Sequence, residues 1–176
     1  ALGADMKSNS VYSRTKAEGE RALLRQFKTA VILRPSVVFG PGDSFFNRFG
    51  QMAMIAPALP LIGGGTNKMQ PVFVGDVADA VMTILDPNFS GDQFFELGGP
   101  KVYTFKELME LTLKAVARKR LLLPVPFAVM SLPAFFAGFL PSPPVTLDQL
   151  TLLKTDNICS AKASGFAELG IDPRAA

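Results

Sequence analysis

Short apolar runs alternate with longer stretches of helical periodicity, and this alternation most narrows what the chain can fold into. Ala30-Val-Ile-Leu33, Pro71-Val-Phe-Val74 and Gln93-Phe-Phe-Glu-Leu97 have the length and the apolar, β-branched or aromatic composition of buried strands. Residues 11–27 read as a helix with Ser10 as its N-cap, and residues 44–56 as a second that ends before Pro57. Asp76 reads as the cap of a third helix, with Val77, Val81, Ile84 and Leu85 at i, i+4, i+7 and i+8. Thr104 and Glu107 make a capping box for a helix to about residue 119, with Phe105, Leu108, Met109, Thr112 and Val116 on its inner face. Helix and strand exchanging in this way predict an α/β fold.

Between these elements, Arg34-Pro35 is expected to end the pairing of the first strand, because proline brings no N–H. Ser36 to Phe39 continues extended into a Gly40-Pro-Gly-Asp43 turn. Gly63-Gly-Gly-Thr66 reads as a flexible connection, since it lacks a phosphate-loop lysine and the spacing of a dinucleotide fingerprint.

Beyond residue 119 the pattern changes. Leu121 to Leu140 carries no charge and reaches the length of a membrane span, but three prolines and a glycine interrupt it. Three readings stand open: a buried helix of a C-terminal lobe, a docking surface for a partner or membrane face, or a span. Thr146 and Gln149 repeat the capping-box pattern for a last short helix, so residues 121–176 read as an apolar, mainly helical lobe.

Composition excludes several function classes. A chain of 176 residues with 48% hydrophobic and 19% charged residues can bury a core and does not read as disordered. A net charge of +3, evenly spread, argues against nucleic acid as a partner. The Arg118-Lys119-Arg120 cluster reads as closing a helix C-terminus against its dipole. One cysteine rules out an internal disulfide and suits a reducing compartment, hence a cytoplasmic setting. The absence of histidine removes histidine triads, histidine-ligated metals and a histidine pH switch, and no metal site is expected. With no initiator Met and no signal segment, the chain is expected to be a piece of a longer polypeptide.

The residues that carry chemistry are Tyr12 and Lys16. Four residues apart on the first helix, they share one face. An ammonium beside a phenol favours the ionised phenol, which makes an acid/base couple, and its N–H groups can hold the sugar hydroxyls of a nucleotide. The same helix offers Arg14/Glu18 and Lys16/Glu20 as ion pairs on its outer face, while Arg48 reads as an exposed helix arginine, with contact to a substrate or partner anion as the other reading.

Five motifs occur in order: Tyr12-x-x-x-Lys16, Lys16-Ala-Glu-Gly-Glu20, Leu33-Arg-Pro-Ser-Val-Val-Phe-Gly-Pro41, Pro71-Val-Phe-Val-Gly-Asp-Val-Ala-Asp-Ala80 and Phe95-Glu-Leu-Gly-Gly-Pro100. Together they resemble the C-terminal half of the extended and atypical short-chain dehydrogenases, the NAD-dependent epimerase/dehydratase group. The resemblance covers residues 1–120 well and the remainder loosely. Ala1 to Asp5 and Ser36 to Phe49 resemble in particular the branch that holds the dehydrogenase-like accessory subunit of respiratory complex I and its bacterial relatives.

The resemblance implies that residues 1–120 are the C-terminal part of an NAD(P)-binding Rossmann-type domain and that 121–176 form a C-terminal lobe. It implies Tyr12 as proton donor or acceptor, Lys16 as the holder of the nicotinamide ribose, and Pro35, Ser36 and Val38 as the border of the nicotinamide ring. NAD or NADP is the implied cofactor. The glycine fingerprint is not found in the sequence and would lie upstream, as would the catalytic Ser or Thr. The isolated chain is therefore expected not to bind the dinucleotide normally, and to self-associate through unpaired strand edges. The expected function is that of a nucleotide-binding accessory subunit of complex I, peripheral to the inner membrane, with Leu121 to Leu140 meeting other subunits or the membrane surface. The alternative is an epimerase, dehydratase or reductase acting on a sugar nucleotide or isoprenoid-like alcohol.

Overall fold

The computed structural model of the chain describes residues 1–131 and 146–176. In chain order the elements are α1 (Val11–Gln26), β1 (Ile32–Pro35), β2 (Val38–Phe39), α2 (Phe46–Ile55), β3 (Ala58–Ile62), β4 (Lys68–Met69), β5 (Val72–Phe73), α3 (Val74–Ile84), β6 (Phe94–Leu97), β7 (Tyr103–Thr104), α4 (Phe105–Ala115) and β8 (Leu121–Val125). A short helix, Leu147–Leu152, follows. Helices and parallel strands mix as an α/β fold requires.

These elements fall into two compact units. One holds residues 1–43, 69–102 and 157–176; the other holds 44–68 and 103–156. Compactness thus groups the chain otherwise than by the division at residue 120 that the sequence suggested.

The first unit is organised around parallel pairs. β1 runs beside β6 in the register Ile32↔Phe94 to Pro35↔Leu97, and β2 beside β5 as Val38↔Val72 and Phe39↔Phe73. Val72, Ala80, Phe95, Leu97, Phe166 and Leu169 form its buried cluster, so the C-terminal segment supplies two core side chains. Full burial stabilises side chains such as Phe95 and Leu97 by roughly 1.5–3 kcal/mol each, before ordering costs. α1 buries only Ser13 and Ala17, a narrow stripe.

Pro35 is the last residue of β1 and is itself paired, opposite Leu97. Alternate residues donate toward β6: Ile32 N–H to Gln93 O at 2.7 Å and Ser36 N–H to Leu97 O at 2.9 Å. Pro35 has the opposite phase, where its missing N–H costs no ladder bond. Its carbonyl accepts from Leu2 N–H at 3.1 Å.

α3 opens at Val74, not after Asp76. Phe73 takes the cap position with extended backbone and no side-chain cap bond, and Asp76 lies buried in the first turn. Its carboxylate accepts from Arg174 N–H at 2.7 Å and Arg174 Nε at 2.6 Å. Val81 and Leu85, expected to face inward, are exposed; Val77, Ala80 and Ile84 pack in the core instead.

In the second unit both capping boxes form, Thr104 with Glu107 and Thr146 with Gln149. Phe45, Phe49 and Phe105 meet edge to face, with Phe105 at 6.2 and 5.5 Å from the other two rings. Residues 121–125, read from sequence within a mainly helical lobe, are a strand: β8 pairs in parallel with β3 from Ala58↔Leu121 to Ile62↔Val125. The ladder supplies backbone bonds that a proline-broken helix lacks. Residues 127–131 are helical, and the part of the 121–140 expectation beyond 131 lies outside the described residues. No helix among the described residues is long and apolar enough to cross a membrane. Arg120 does close a helix end, but that of α2: its Nε donates to Ala53 O at 2.8 Å, while α4 stops at Ala115.

Candidate functional site

Three neighbouring pieces of the first unit carry the residues singled out from sequence. The amino-terminal segment is fastened to the end of β1 by the Leu2–Pro35 bond. It then turns through Asp5 and Ser8 into the Ser10 cap, whose hydroxyl accepts from Ser13 N–H at 3.2 Å. This fixes the first turn of α1, where Tyr12 sits.

Ser13, Ala17 and Glu20 occupy the inner face of α1, at i, i+4 and i+7. Tyr12 and Lys16 therefore share the adjoining exposed face, and Tyr12 is 45% exposed. The Lys16 ammonium stands 5.4 Å from the Tyr12 ring centroid. That is a cation–π distance, so the pair is brought together as its spacing predicts.

The ion pairs expected on the outer face of α1 are replaced by longer-range ones. Glu20 turns toward β1 and accepts from Arg34 Nη2 at 2.6 Å and Nε at 3.1 Å. The bidentate guanidinium outcompetes a flexible Lys16 ammonium for that carboxylate. Arg14 Nη1 donates to Ser8 O at 2.7 Å, bracing the turn before the helix. Arg48 lies exposed on α2.

Ser36 and Val37 lie where the chain leaves one strand partner for another. β1 pairs with β6 up to Pro35, and β2 pairs with β5 from Val38. Ser36 is buried; its N–H goes to Leu97 O and its hydroxyl donates to Asn157 Oδ1 at 2.5 Å. Val37 O accepts from Val72 N–H at 2.9 Å. Pro35 and Val38 are half-buried, so both keep some open surface at the carboxyl end of the strand. Ligands of open α/β sheets bind at such ends, where strand partners change.

An ammonium and a phenol thus share one helix face, and the Pro35–Val38 segment keeps apolar surface at a strand end. No Gly-x-Gly-x-x-Gly pattern occurs in this sequence. An open groove elsewhere on the unit, bounded by Asp5, Lys7, Glu20, Arg21, Arg34 and Phe94, includes neither Tyr12 nor Lys16.

Sequence reasoning missed Asn157 and Gln70. Gln70 N–H donates to Asn157 O at 3.0 Å, Gln70 Oε1 accepts from Cys159 N–H at 2.9 Å, and Gln70 Nε2 donates to Gly99 O at 2.8 Å. One side chain thus ties the C-terminal segment to the Gly98-Gly99 end of β6. No local pattern marks either residue, since their partners lie far along the chain. Cys159, beside them, has its thiol pushed up to about 11 by burial and by the Glu96 carboxylate.

Comparison with known proteins places this geometry. Residues 1–98 match the NAD dependent epimerase/dehydratase family. The chain is 37% identical to the Arabidopsis thaliana protein named NADH dehydrogenase [ubiquinone] 1 alpha subcomplex subunit 9, mitochondrial, over 98% of this chain and 45% of that one. Its mouse counterpart is 31% identical over 98% of this chain and 46% of its own length. The chain spans about half the length of these curated relatives. Among solved structures, the NAD complex of dTDP-glucose 4,6-dehydratase from Bacillus anthracis is 25% identical with a TM-score of 0.58, covering 67% of this chain and 40% of that one. Relatedness thus favours the complex I branch over a sugar-nucleotide epimerase, dehydratase or reductase. The ordered motifs, the Tyr12–Lys16 face and the parallel strand ends all have one source: the chain belongs to the NAD dependent epimerase/dehydratase family, as a relative of the complex I alpha subcomplex subunit 9.

Proposed function

We propose that this chain is the nicotinamide-side half of an NAD(P)-binding accessory subunit of a respiratory complex I. The observation that carries the reading is the extent of the similarity. The family match ends at residue 98, whereas the similarity to the alpha subcomplex subunits runs over 98% of the chain. A shared cofactor fold alone would not require the second unit and the C-terminal segment to be alike.

In this reading Lys16 hydrogen-bonds the nicotinamide ribose, and Tyr12 lies beside it as a hydroxyl partner able to exchange a proton. The apolar surfaces of Pro35 and Val38, with the backbone at Ser36, border the ring. The dinucleotide supplies hydride chemistry when bound, and its pyrophosphate is held by residues other than those of this chain. The chain alone then lacks the pyrophosphate contacts and does not hold the dinucleotide normally. Its two-stranded parallel ladders, which such folds usually extend and cover on both faces, favour self-association of the isolated piece. The subunit would sit peripherally at the inner membrane, and the exposed Leu121 and Leu123 of β8 would meet neighbouring subunits.

The test is a native gel of source-cell membranes and cytosol, followed by a denaturing dimension and detection of this protein. Co-migration with a large NADH-oxidising complex is expected. A small cytosolic species alone would contradict the subunit reading.

A further inference from the structure

We propose that Asn157 is a positioning residue for the nicotinamide end of the site, acting through the Ser36 hydroxyl. The inference rests on the reading that the Pro35–Val38 turn borders the nicotinamide ring, and it assigns the C-terminal segment a part in that site.

The segment changes strand partner within two residues. At Ser36 the chain gives up β6 as partner, and by Val38 it has taken β5. The Ser36 N–H still reaches back to Leu97, and the Val37 carbonyl already reaches forward to Val72. The segment also holds the Ser36 hydroxyl, on a residue only 8% exposed. It donates to Asn157 Oδ1 at 2.5 Å, with Asn157 O at 3.2 Å. Without Asn157 Oδ1 the hydroxyl keeps only the longer contact to Asn157 O, and the Pro35–Val38 segment loses its short side-chain tie to the C-terminal segment.

Asn157 is itself held by backbone. It forms a parallel bridge with Met69, its carbonyl accepts from Gln70 N–H, and Cys159 two residues on is fastened to the Gln70 side chain. The side-chain carbonyl is therefore presented to Ser36 by a segment that approaches from the far end of the sequence. A residue that only stabilised the unit would affect every ligand alike. A residue that shapes this turn affects the part of the ligand that meets the turn.

The experiment uses the full-length native protein and two ligand pairs: NADH with ADP-ribose, and NADPH with 2′-phospho-ADP-ribose. Each pair differs in the nicotinamide. In the pair that wild type binds, Asn157→Ala and Ser36→Ala are each expected to weaken the dinucleotide on the order of tenfold, the equivalent of one hydrogen bond. The truncated ligand should bind unchanged, and the double variant should lose no more than either single one. Asn157→Asp, which keeps an acceptor, should restore dinucleotide binding to within about twofold. Should Asn157→Ala not fold, Ser36→Ala carries the same expectation. Dinucleotide binding at the wild-type level in both alanine variants would overturn the proposal, and so would equal losses for the dinucleotide and its truncated partner. Failure of wild type to bind either dinucleotide would instead overturn the cofactor reading on which the proposal stands.

Discussion

Glu20 on α1 holds Arg34 on β1 by a bidentate bond, with Oε2 at 2.6 Å from Nη2 and Oε1 at 3.1 Å from Nε. The side chains are 13% and 25% exposed, so this is a half-sheltered pair rather than a surface one. It fastens the helix that carries Tyr12 and Lys16 to the strand that leads into the Ser36 turn. Arg34 also lies 5.0 Å from the Phe94 ring centroid, which keeps its guanidinium over β6. Glu20→Gln and Arg34→Met should each lower stability by roughly 1–3 kcal/mol in urea denaturation. The double variant should lose clearly less than the sum, because the two act as one unit. Additive losses would mean that the pair is not coupled.

Asp76 and Asp79 both meet Arg174, but in different surroundings. Asp76 is buried and Asp79 is 61% exposed, at 2.6 and 3.2 Å from the guanidinium. Asp76→Asn should cost roughly 1–3 kcal/mol, because it weakens a charge-assisted bond at a buried site. Asp79→Asn should stay within about 0.5 kcal/mol of wild type. Comparable losses in thermal or urea unfolding would show that the burial difference does not govern the clasp.

The helices were legible where their signals are local. The capping boxes at Thr104 and Thr146 and the Ser10 cap form as their spacing predicts, and so does the Tyr12–Lys16 face. Features fixed by distant partners were not legible. Glu20 has Lys16 one turn away, yet its partner is Arg34, across the helix–strand connection. β3 and β8 each contain a proline and acquire their identity only by pairing with each other, residues 58–62 with 121–125. Asp76 matches a cap pattern locally, but its carboxylate is claimed by Arg174. The family resemblance points to Ser36 but carries no sign that Asn157 holds its hydroxyl.

Gly99 and Gly19 should respond oppositely to alanine. A Cβ on Gly99 would lie 2.1 Å from the Pro71 carbonyl oxygen, a backbone atom that cannot swing aside. Gly99→Ala should destabilise by more than about 2 kcal/mol or prevent folding. Gly19 lies on the exposed side of α1 with nothing within 4 Å of that position. Gly19→Ala should therefore stabilise by about 0.5–1 kcal/mol. Melting curves of the two variants decide it, and a tolerated Gly99→Ala would contradict the close packing at the end of β6.

Cys159 should be a slow nucleophile in the folded protein. Burial first, and then the Glu96 carboxylate, push its thiol from the ordinary 9.0 to about 11. Alkylation by iodoacetamide should rise with pH toward a midpoint near 11 in the native protein and near 9 after unfolding. Because the folded value lies above the unfolded one, this group's contribution to stability is intact below pH 9 and is lost as pH climbs toward 11. A native alkylation midpoint near 9 would mean that the thiol is not sheltered.

The Tyr12–Lys16 face is tested most directly by dinucleotide affinity in the full-length protein. Fluorescence titration of NADPH and NADH against wild type, Lys16→Ala and Tyr12→Phe separates the two side chains. Loss of the Lys16 ammonium should weaken binding on the order of 10- to 100-fold, the range for hydrogen bonds to a charged donor. Tyr12→Phe keeps the ring under the ammonium and should bind within about threefold of wild type. Unchanged affinity in Lys16→Ala would contradict the assignment of this helix face to the cofactor.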